Sequence, residues 1–276
     1  MGAALPSPIG VFDSGVGGLS ILQALRAALP AEDFVYVADS GHAPYGERDP
    51  QHVINRSRSI TRYLVAQRDI KMLVVACNTA TAAAIHVLRA EYPQLPLVGV
   101  EPALKPAVAL STTGHVGVMA TRGTLGSAKF QALVAAQGPG VRFALQPCDG
   151  LAYAIETADA IKTEALCDQY TLAMGPFGHE NGQIDTLVLG CTHYRFAADH
   201  LARLLGPDIR LIDTGPPVAQ QALRLLAAAG LQRTGGSGTT RFLTSGAVDA
   251  LRDAAARWVM PDPDVAALPL SATTTA

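Results

Sequence analysis

Charged side chains are scarce in this sequence. Asp, Glu, Lys and Arg make up 16% of its 276 residues, whereas about 25% is usual in soluble proteins. The 21 basic and 23 acidic side chains leave a net charge of only −2, so no overall field attracts nucleic acid or anionic lipid. Hydrophobic residues reach 49%, which excludes an intrinsically disordered chain. A small molecule is therefore the expected partner, with no nucleic acid.

Long apolar runs are also missing. The longest, such as MLVVAC at 72–77, fall short of the ~18 residues that span a bilayer and have the length of a buried strand. The N-terminal segment MGAALPSPIG lacks the basic and apolar regions of a secretory leader. We therefore expect a cytoplasmic protein with no membrane partner.

Cysteine and lysine are few, and neither is placed for cofactor chemistry. The 4 cysteines form no CxxC pair, so free thiols are expected in a reducing compartment. No histidine-rich spacing accompanies them, which argues against a metal site. None of the lysines, at 71, 105, 129 and 162, stands in a recognised Schiff-base setting, which argues against pyridoxal phosphate. No cofactor is expected.

What the sequence does contain is an alternation of short β-rich apolar runs with longer Ala/Leu/Arg stretches. This pattern is typical of βα units around a parallel sheet that is buried on both faces. Eight strands in two sets of four are predicted, at 9–12, 34–38, 72–76, 97–100, 116–120, 141–145, 186–190 and 210–212. A final strand and helix are predicted from 241, a mobile tail after Met260, and a helix followed by a surface loop in the interval 157–183.

The two sets of strands match each other in sequence. IGVFDSGVGGLS at 9–20 aligns with VGVMATRGTLGS at 116–127, and LVVACNTATAA from Leu73 aligns with LVLGCTHYRFA from Leu187. This repeat predicts an α/β fold with two similar parallel-sheet lobes, related by pseudo-twofold symmetry, and an active site in the cleft between them. The alternative is that buried parallel strands resemble one another because all are rich in Val, Leu and Ile.

A cysteine ends the third strand of each half, at Cys77 and Cys191. Ligands of open parallel sheets bind beyond the carboxyl ends of the strands, where a following helix dipole is expected to lower the pKa of a thiol. Two acid/base groups on opposite faces of a tetrahedral carbon can remove a proton from one face and return one to the other, which inverts the centre. The alternative is that both cysteines are ordinary buried hydrophobic residues.

Polar residues surround both thiols in sequence. Those that directly follow them are Asn78, Thr79, Thr192 and His193. Their amide, hydroxyl and helix N-terminal donors suit a carboxylate ligand. Asp13 and Ser14 precede a Gly-rich turn at 15–18 whose GxxGG spacing fits neither a dinucleotide fingerprint nor a P-loop.

Seven segments together carry a family resemblance. In chain order they are VFDSGVGGLS, YVADSGHAPYGE, VVACNTATAA, GVEPALKPAV, ATRGTLGS, LVLGCTHY and LIDTG. They resemble the glutamate racemase family of the cofactor-independent aspartate/glutamate racemase superfamily, from about residue 9 to 258. The resemblance implies interconversion of L- and D-glutamate, which supplies D-glutamate for bacterial peptidoglycan. It also implies a first lobe formed by residues 1–98 plus 211–276 and a second formed by 99–210.

The resemblance also implies roles for individual residues. Cys77 would serve the D-glutamate face and Cys191 the L-glutamate face, with Asp13 and His193 assisting the thiols. The implied substrate contacts are Asp13, Ser14, Tyr45, Gly46, Asn78, Thr79, Thr121, Glu156, Thr192 and His193. The alternatives are that Tyr45 only packs a turn, that Glu156 is a solvated helix residue, and that His193 is a core or surface histidine.

The chain departs from the family pattern at two of these segments. Arg195 stands where the family usually has Pro, but it touches no proposed catalytic group. Ser-Gly-His-Ala stands in place of the usual segment before Pro-Tyr-Gly, so glutamate over aspartate is implied by the family alone. The alternatives are an aspartate or hydantoin racemase, a single-thiol decarboxylase, or a non-enzymatic amino-acid-binding module. The second cysteine favours racemisation. Family members are often dimers, which leaves a homodimer open.

Overall fold

The computed structural model describes residues 7–270 and contains two parallel β-sheets. The larger sheet has six strands in the order β10-β9-β2-β1-β3-β4. These strands are β1 Ile9–Asp13, β2 Phe34–Ala38, β3 Met72–Val75, β4 Leu97–Gly99, β9 Thr240–Thr244 and β10 Asp264–Ala267. The smaller sheet has four strands in the order β6-β5-β7-β8. They are β5 His115–Ala120, β6 Arg142–Pro147, β7 Thr186–Leu189 and β8 Arg210–Ile212.

Helices connect the strands, as parallel pairing requires. In the first half of the chain they are α1 Leu19–Ala28, α2 Pro50–Arg68, α3 Asn78–Glu91, α4 Leu104–Leu110, α5 Arg122–Leu125 and α6 Ala128–Ala135. In the second half they are α7 Leu151–Glu156, α8 Ala160–Met174, α9 Ala198–Leu205, α10 Gly215–Ala228 and α11 Val248–Trp258. Short 3-10 helices occur at Ser40–His42, Tyr45–Glu47 and Thr192–Ala197.

The two sheets repeat the same topology. The order β2-β1-β3-β4 of the larger sheet corresponds strand for strand to the order β6-β5-β7-β8 of the smaller one. All the pairs are parallel. The expectation of two similar parallel-sheet lobes is therefore confirmed, and Cys77 and Cys191 follow topologically equivalent strands, β3 and β7.

The central strands β1, β3, β5 and β7 are buried along almost their whole length, as expected where both faces of a parallel sheet are covered. Along β3, Met72 and Val74 contribute to one hydrophobic core and Leu73 and Val75 to the core on the opposite face. This period of two continues past the strand and places Cys77 in the second of these cores. The strand pattern therefore decides the face of the sheet on which this thiol lies.

The eight predicted strands are all present, with ends that differ from prediction by one or two residues at most. The final strand predicted from 241 is β9, which lies in the larger sheet, and the strand β10, which was not predicted, extends that sheet further. The predicted helix and loop in 157–183 correspond to α8 and the segment that follows it. The lobe boundaries near residues 98 and 211 stay a prediction.

The tail beyond Met260 differs from expectation. Val265 pairs with Phe242 in the strand β10, and the N–H of Leu268 donates to the carbonyl of Thr244. The prediction of a mobile tail is therefore wrong for residues 264–268, because this segment satisfies the backbone groups that β9 would otherwise expose at the sheet edge. Residues 271–276 of the same tail lie outside the described residues.

A bilayer-spanning helix is not found in the part of the chain that the structure describes. Each helix there is too short or too polar to cross the apolar layer.

Candidate active site

Cys77 occupies the junction between β3 and α3. It is the N-cap residue of α3, and its Sγ accepts a hydrogen bond from the N–H of Ala80 at 3.4 Å. Its Sγ also lies 3.9 Å from the Oγ of Ser14, which follows β1. The thiol therefore takes the place that a serine or threonine hydroxyl takes in an ordinary N-cap.

Cys191 occupies the equivalent junction in the second lobe. It is the N-cap residue of the 3-10 helix Thr192–Ala197, and its Sγ lies 3.8 Å from Nδ1 of His193. Nε2 of His193 lies 2.7 Å from Oε2 of Glu156, at the end of α7. Thiol, imidazole and carboxylate thus form a continuous chain, and Glu156 is not a solvated helix residue, since its side chain is only 12% exposed.

Asp13 lies between the two thiols in the network of contacts. Its carboxylate is fully buried and accepts hydrogen bonds from the backbone N–H groups of Ser14 and Gly18. The hydroxyl of Thr192, from the other lobe, lies 3.4 Å from Oδ2. Burial raises the pKa of Asp13, because the charged form loses hydration.

The charge state of the Cys77 thiol differs from the sequence expectation. Burial raises its pKa well above the ordinary value, and the nearby charge of Asp13 raises it further. The hydrogen bond from Ala80 acts in the opposite direction but does not outweigh them. The expectation that the helix start lowers the pKa of this thiol is therefore wrong for Cys77, because loss of hydration dominates in a buried site.

The surroundings of His193 favour its positively charged form. Burial disfavours the imidazolium, but contacts with Cys191 and Glu156 outweigh it and raise the pKa of His193 well above its usual value. Burial likewise opposes ionisation of Glu156, yet the hydrogen bond and charge of His193 hold its pKa below its usual value. The pair is therefore an ion pair next to the sulfur of Cys191.

The Gly-rich turn after β1 packs directly against this ion pair. The N–H of Val16 donates to Oε2 of Glu156 at 2.8 Å. A β-carbon added to Gly15 would lie 2.2 Å from Oε2 of Glu156, and one added to Gly17 would lie 2.2 Å from Nδ1 of His193. The glycines at these two positions are needed for close approach of the first lobe to the second.

A third group of predicted residues meets at the other wall of the cleft. The hydroxyls of Thr79 and Thr121 lie 3.0 Å apart, one in each lobe. A β-carbon on Gly46 would lie 2.7 Å from Cβ of Thr121. Tyr45 is buried beside them, and its hydroxyl donates to Asp39.

Asn78 follows Cys77 and is also buried. Its side-chain N–H donates to the carbonyl of Val100 at 3.4 Å. Among the described residues, its Oδ1 is buried without a hydrogen-bond partner. An orphaned buried acceptor is costly, so this oxygen is available to a ligand that can donate a hydrogen bond.

The structure thus brings together predicted site residues that end or follow strands of the two sheets, as in the contacts of Asp13 with Thr192 and of Thr79 with Thr121. Sequence reasoning missed Ser40, whose Oγ donates to Oε1 of Glu156 at 2.7 Å, and Tyr36, whose hydroxyl donates to the carbonyl of Gly15 at 2.6 Å. Asp39, the partner of Tyr45, was missed as well. All three stand in or next to the segment YVADSGHAPYGE, which carried the resemblance without an assigned role for them.

Cavities border the site. One of about 610 Å³ is lined by Val16 and Glu156 on the side of the site, and one of about 370 Å³ reaches Cys191 and Thr192. Cys77 is 5% and Cys191 is 7% exposed. Both thiols are therefore largely shielded from water.

Comparison with known proteins identifies the family of this chain. A family model described as Asp/Glu/Hydantoin racemase matches residues 9–222. Glutamate racemase of Pseudomonas paraeruginosa (strain DSM 24068 / PA7) is 49% identical over 245 residues, which cover 88% of this chain and 90% of that protein.

Solved structures show the same architecture. Glutamate racemase isoform RacE1 from Bacillus anthracis superposes with a TM-score of 0.84 at 30% identity, covering 96% of this chain and 98% of that one. Escherichia coli glutamate racemase, in complex with L-glutamate and the activator UDP-MurNAc-ala, superposes with a TM-score of 0.77 at 27% identity, covering 95% and 99%. The chain therefore belongs to the Asp/Glu/hydantoin racemase family and is an isomerase.

Proposed function

We propose that this protein interconverts L- and D-glutamate without a cofactor, by proton transfer between the substrate and two cysteine thiols. The observation that carries the proposal is the placement of Cys77 and Cys191 after equivalent strands of two like lobes, joined through Ser14, Asp13 and Thr192. Curated relatives named glutamate racemase support glutamate as the substrate. So do solved relatives in complex with D-glutamate and with L-glutamate. The product would supply D-glutamate for peptidoglycan in the cytoplasm.

The proposed reaction moves one proton off and one proton on. In the L-to-D direction the thiolate of Cys191 takes the α-proton from one face, and the thiol of Cys77 delivers its proton to the opposite face. The centre is inverted, Cys191 ends protonated and Cys77 ends ionised. Exchange with water then restores the starting charges. The reverse direction uses the same groups in the opposite order.

The charges around the thiols fit this division of work. The raised pKa of Cys77 keeps its proton in place as the acid. Nδ1 of His193 lies 3.8 Å from the sulfur of Cys191, where the imidazole can exchange a proton with that thiol. This contact supports the assignment of Cys191 as the base for the L-enantiomer.

The α-proton of an amino acid is much less acidic than a thiol, so the site has to stabilise the carbanionic state. The hydroxyls of Thr79, Thr121 and Thr192 are placed to hold the α-carboxylate as negative charge develops, and the unpaired Oδ1 of Asn78 is placed to accept a hydrogen bond from the α-ammonium group. Asp13 is placed to receive the α-ammonium group. Because the thiols are shielded from water, the lobes have to separate for glutamate to enter.

Incubation with each enantiomer in deuterated buffer tests the proposal. Circular dichroism measures the change in ellipticity as one enantiomer is converted to the other. Proton NMR measures the loss of the Cα–H signal as deuterium replaces the proton. We expect each glutamate enantiomer to give the other, with solvent deuterium at Cα. Turnover of aspartate or a hydantoin in place of glutamate would reassign the substrate within the family. Binding without exchange would favour an amino-acid-binding module and contradict the proposal.

A further inference from the structure

Tyr45 is held in place by Asp39, which pairs with Arg56, and neither of these two charged residues has a role in the proposed reaction. Its ring is 1% exposed and belongs to the same hydrophobic core as Cys77. Its hydroxyl donates to Oδ2 of Asp39. The hydroxyl is therefore committed to the protein interior, and Tyr45 reaches the cleft through its backbone and that of Gly46.

Three side chains, those of Tyr45, Arg56 and Ser245, donate hydrogen bonds to the carboxylate of Asp39. Its carboxylate is fully buried at the end of β2. Arg56, from α2, donates from Nε to Oδ2 at 2.8 Å and from Nη2 to Oδ1 at 2.7 Å. Ser245, after β9, donates to Oδ1 at 2.7 Å. A bidentate guanidinium fixes the plane of a carboxylate more firmly than a single contact can.

The ion pair is matched in charge, so the carboxylate stays ionised despite burial. Burial opposes ionisation, but hydrogen bonds from Arg56 and Tyr45 hold the pKa of Asp39 below its ordinary value. Removal of one partner from such a pair leaves a buried charge without compensation, which is strongly unfavourable. The orientation of Tyr45 therefore depends on Arg56 being present.

The position of Tyr45 affects the opposite lobe because its neighbour Gly46 packs against Thr121. There is no room for a β-carbon between Gly46 and Thr121, and a β-carbon on Gly123 would lie 3.0 Å from the carbonyl of Gly46. Thr121 in turn contacts Thr79 beside Cys77. A shift of the Tyr45 backbone by a few tenths of an ångström would therefore change the shape of this wall of the cleft.

We propose that Asp39, fixed by Arg56 and Ser245, is a positioning residue that sets the affinity for the substrate by holding the Tyr45–Gly46 wall against Thr121. This inference rests on the proposed function, since it takes glutamate to be bound at that wall. Asp39 acts through Tyr45, and the polar contacts of its carboxylate are with Tyr45, Arg56 and Ser245. Its loss should therefore weaken binding more than it slows proton transfer.

The test compares kcat and KM for L-glutamate in the Asp39→Asn and Arg56→Met variants with the wild type. We expect KM to rise about tenfold and kcat to change by less than about threefold, because the thiols, Asp13 and His193 keep their contacts. Arg56→Lys keeps the charge but not the bidentate geometry, and should give an intermediate KM. Arg58→Lys is the matched control, since Arg58 lies on the same helix in a surface ion pair with Glu91.

A double-mutant cycle separates positioning from a general loss of folding. Tyr45→Phe removes the hydroxyl that Asp39 accepts, so Asp39→Asn should add little to KM once Tyr45→Phe is present. Ser245→Ala is the milder variant if Asp39→Asn does not fold, and a severalfold rise in KM is expected. Additive effects, or an unchanged KM in the folded variants, would overturn the inference, as would a fall in kcat alone. Failure of the wild type to racemise glutamate would instead count against the proposed function.

Discussion

The backbone of Gly17 lies so close to the imidazole of His193 that a β-carbon on Gly17 would come within 2.2 Å of Nδ1. The same ring contacts Cys191 through Nδ1 and Glu156 through Nε2. The turn of the first lobe therefore forms the wall that keeps this histidine in line between its two partners.

Replacement of Gly17 by Ala should displace the imidazole. The ring and the turn cannot both keep their positions, because real β-carbons are not found at such a distance. We expect kcat to fall by about tenfold or more, with an upper limit at the roughly 10²–10⁴-fold that general acid–base catalysis contributes. Gly140→Ala is the control, since a β-carbon there meets nothing within 4 Å, and its kcat should match the wild type. Equal kcat values in both variants would contradict this account of the turn.

The ion pair of His193 and Glu156 should make stability depend on pH. His193 has a raised pKa, so its contribution is fully present below its unfolded value of about 6.5 and is lost as the pH rises through the folded value. Glu156 has a lowered pKa, so its contribution is present above its unfolded value of about 4.3 and is lost as the pH falls. The free energy of unfolding should therefore differ most between wild type and Glu156→Gln from about pH 4.5 to 6.5. Urea unfolding across this range measures it, and a constant difference would refute the pairing.

The same substitution should also act on the histidine itself. Without the carboxylate, burial disfavours the imidazolium with less opposition, so the pKa of His193 should fall in Glu156→Gln. NMR titration of the imidazole measures this directly. Ser40→Ala, which removes a neutral donor to Glu156, is the milder comparison and should leave His193 charged at neutral pH. An unchanged titration in Glu156→Gln would mean that Cys191 alone sets the charge of the ring.

Each thiol should be essential for inversion. Cys77→Ser and Cys191→Ser are expected to abolish net racemisation of both enantiomers, because one face of the substrate then lacks an effective acid or base. Deuterium incorporation at Cα with retained configuration is the most activity that either variant should show. Cys167→Ala is the control, because this buried thiol belongs to the same hydrophobic core as Cys191 but has no proposed role in proton transfer, and it should racemise normally. Normal racemisation in either serine variant would contradict the proposed role of that cysteine as acid and base.

The segment 264–268, which consists of β10 and Leu268, should contribute measurably to the free energy of unfolding. Leu268 is 8% exposed and packs into the same core as Phe12 and Leu64. Leu268→Ala should cost about 2 kcal/mol of unfolding free energy, at the low end for a buried leucine. Leu231→Ala, at a leucine that is 40% exposed, should stay within about 0.5 kcal/mol of wild type. Chemical denaturation of both variants gives the comparison, and equal values would mean that the strand adds little.

Much of the fold could be predicted from local pattern. Runs such as Met72 to Val75 are apolar at every position because both faces of a parallel sheet are covered. Such a run can be recognised in the sequence. The strand β10 was not predicted, because DVAA is short and polar at its start. It pairs only because β9 leaves an open edge beside it, and an edge is a property of the assembled sheet.

The site divides in the same way. Sequence by itself determined the repeat, the two cysteines at strand ends and the polar residues that follow them, because these features are local to each βα unit. Tertiary structure alone decided that Cys77 is held protonated, that Glu156 pairs with His193, and that Asp39 holds Tyr45. These outcomes depend on burial and on partners far away in the chain. The pKa of a buried group depends on the hydration that it loses and on the charges that lie near it, and both are set only when segments distant in sequence pack together.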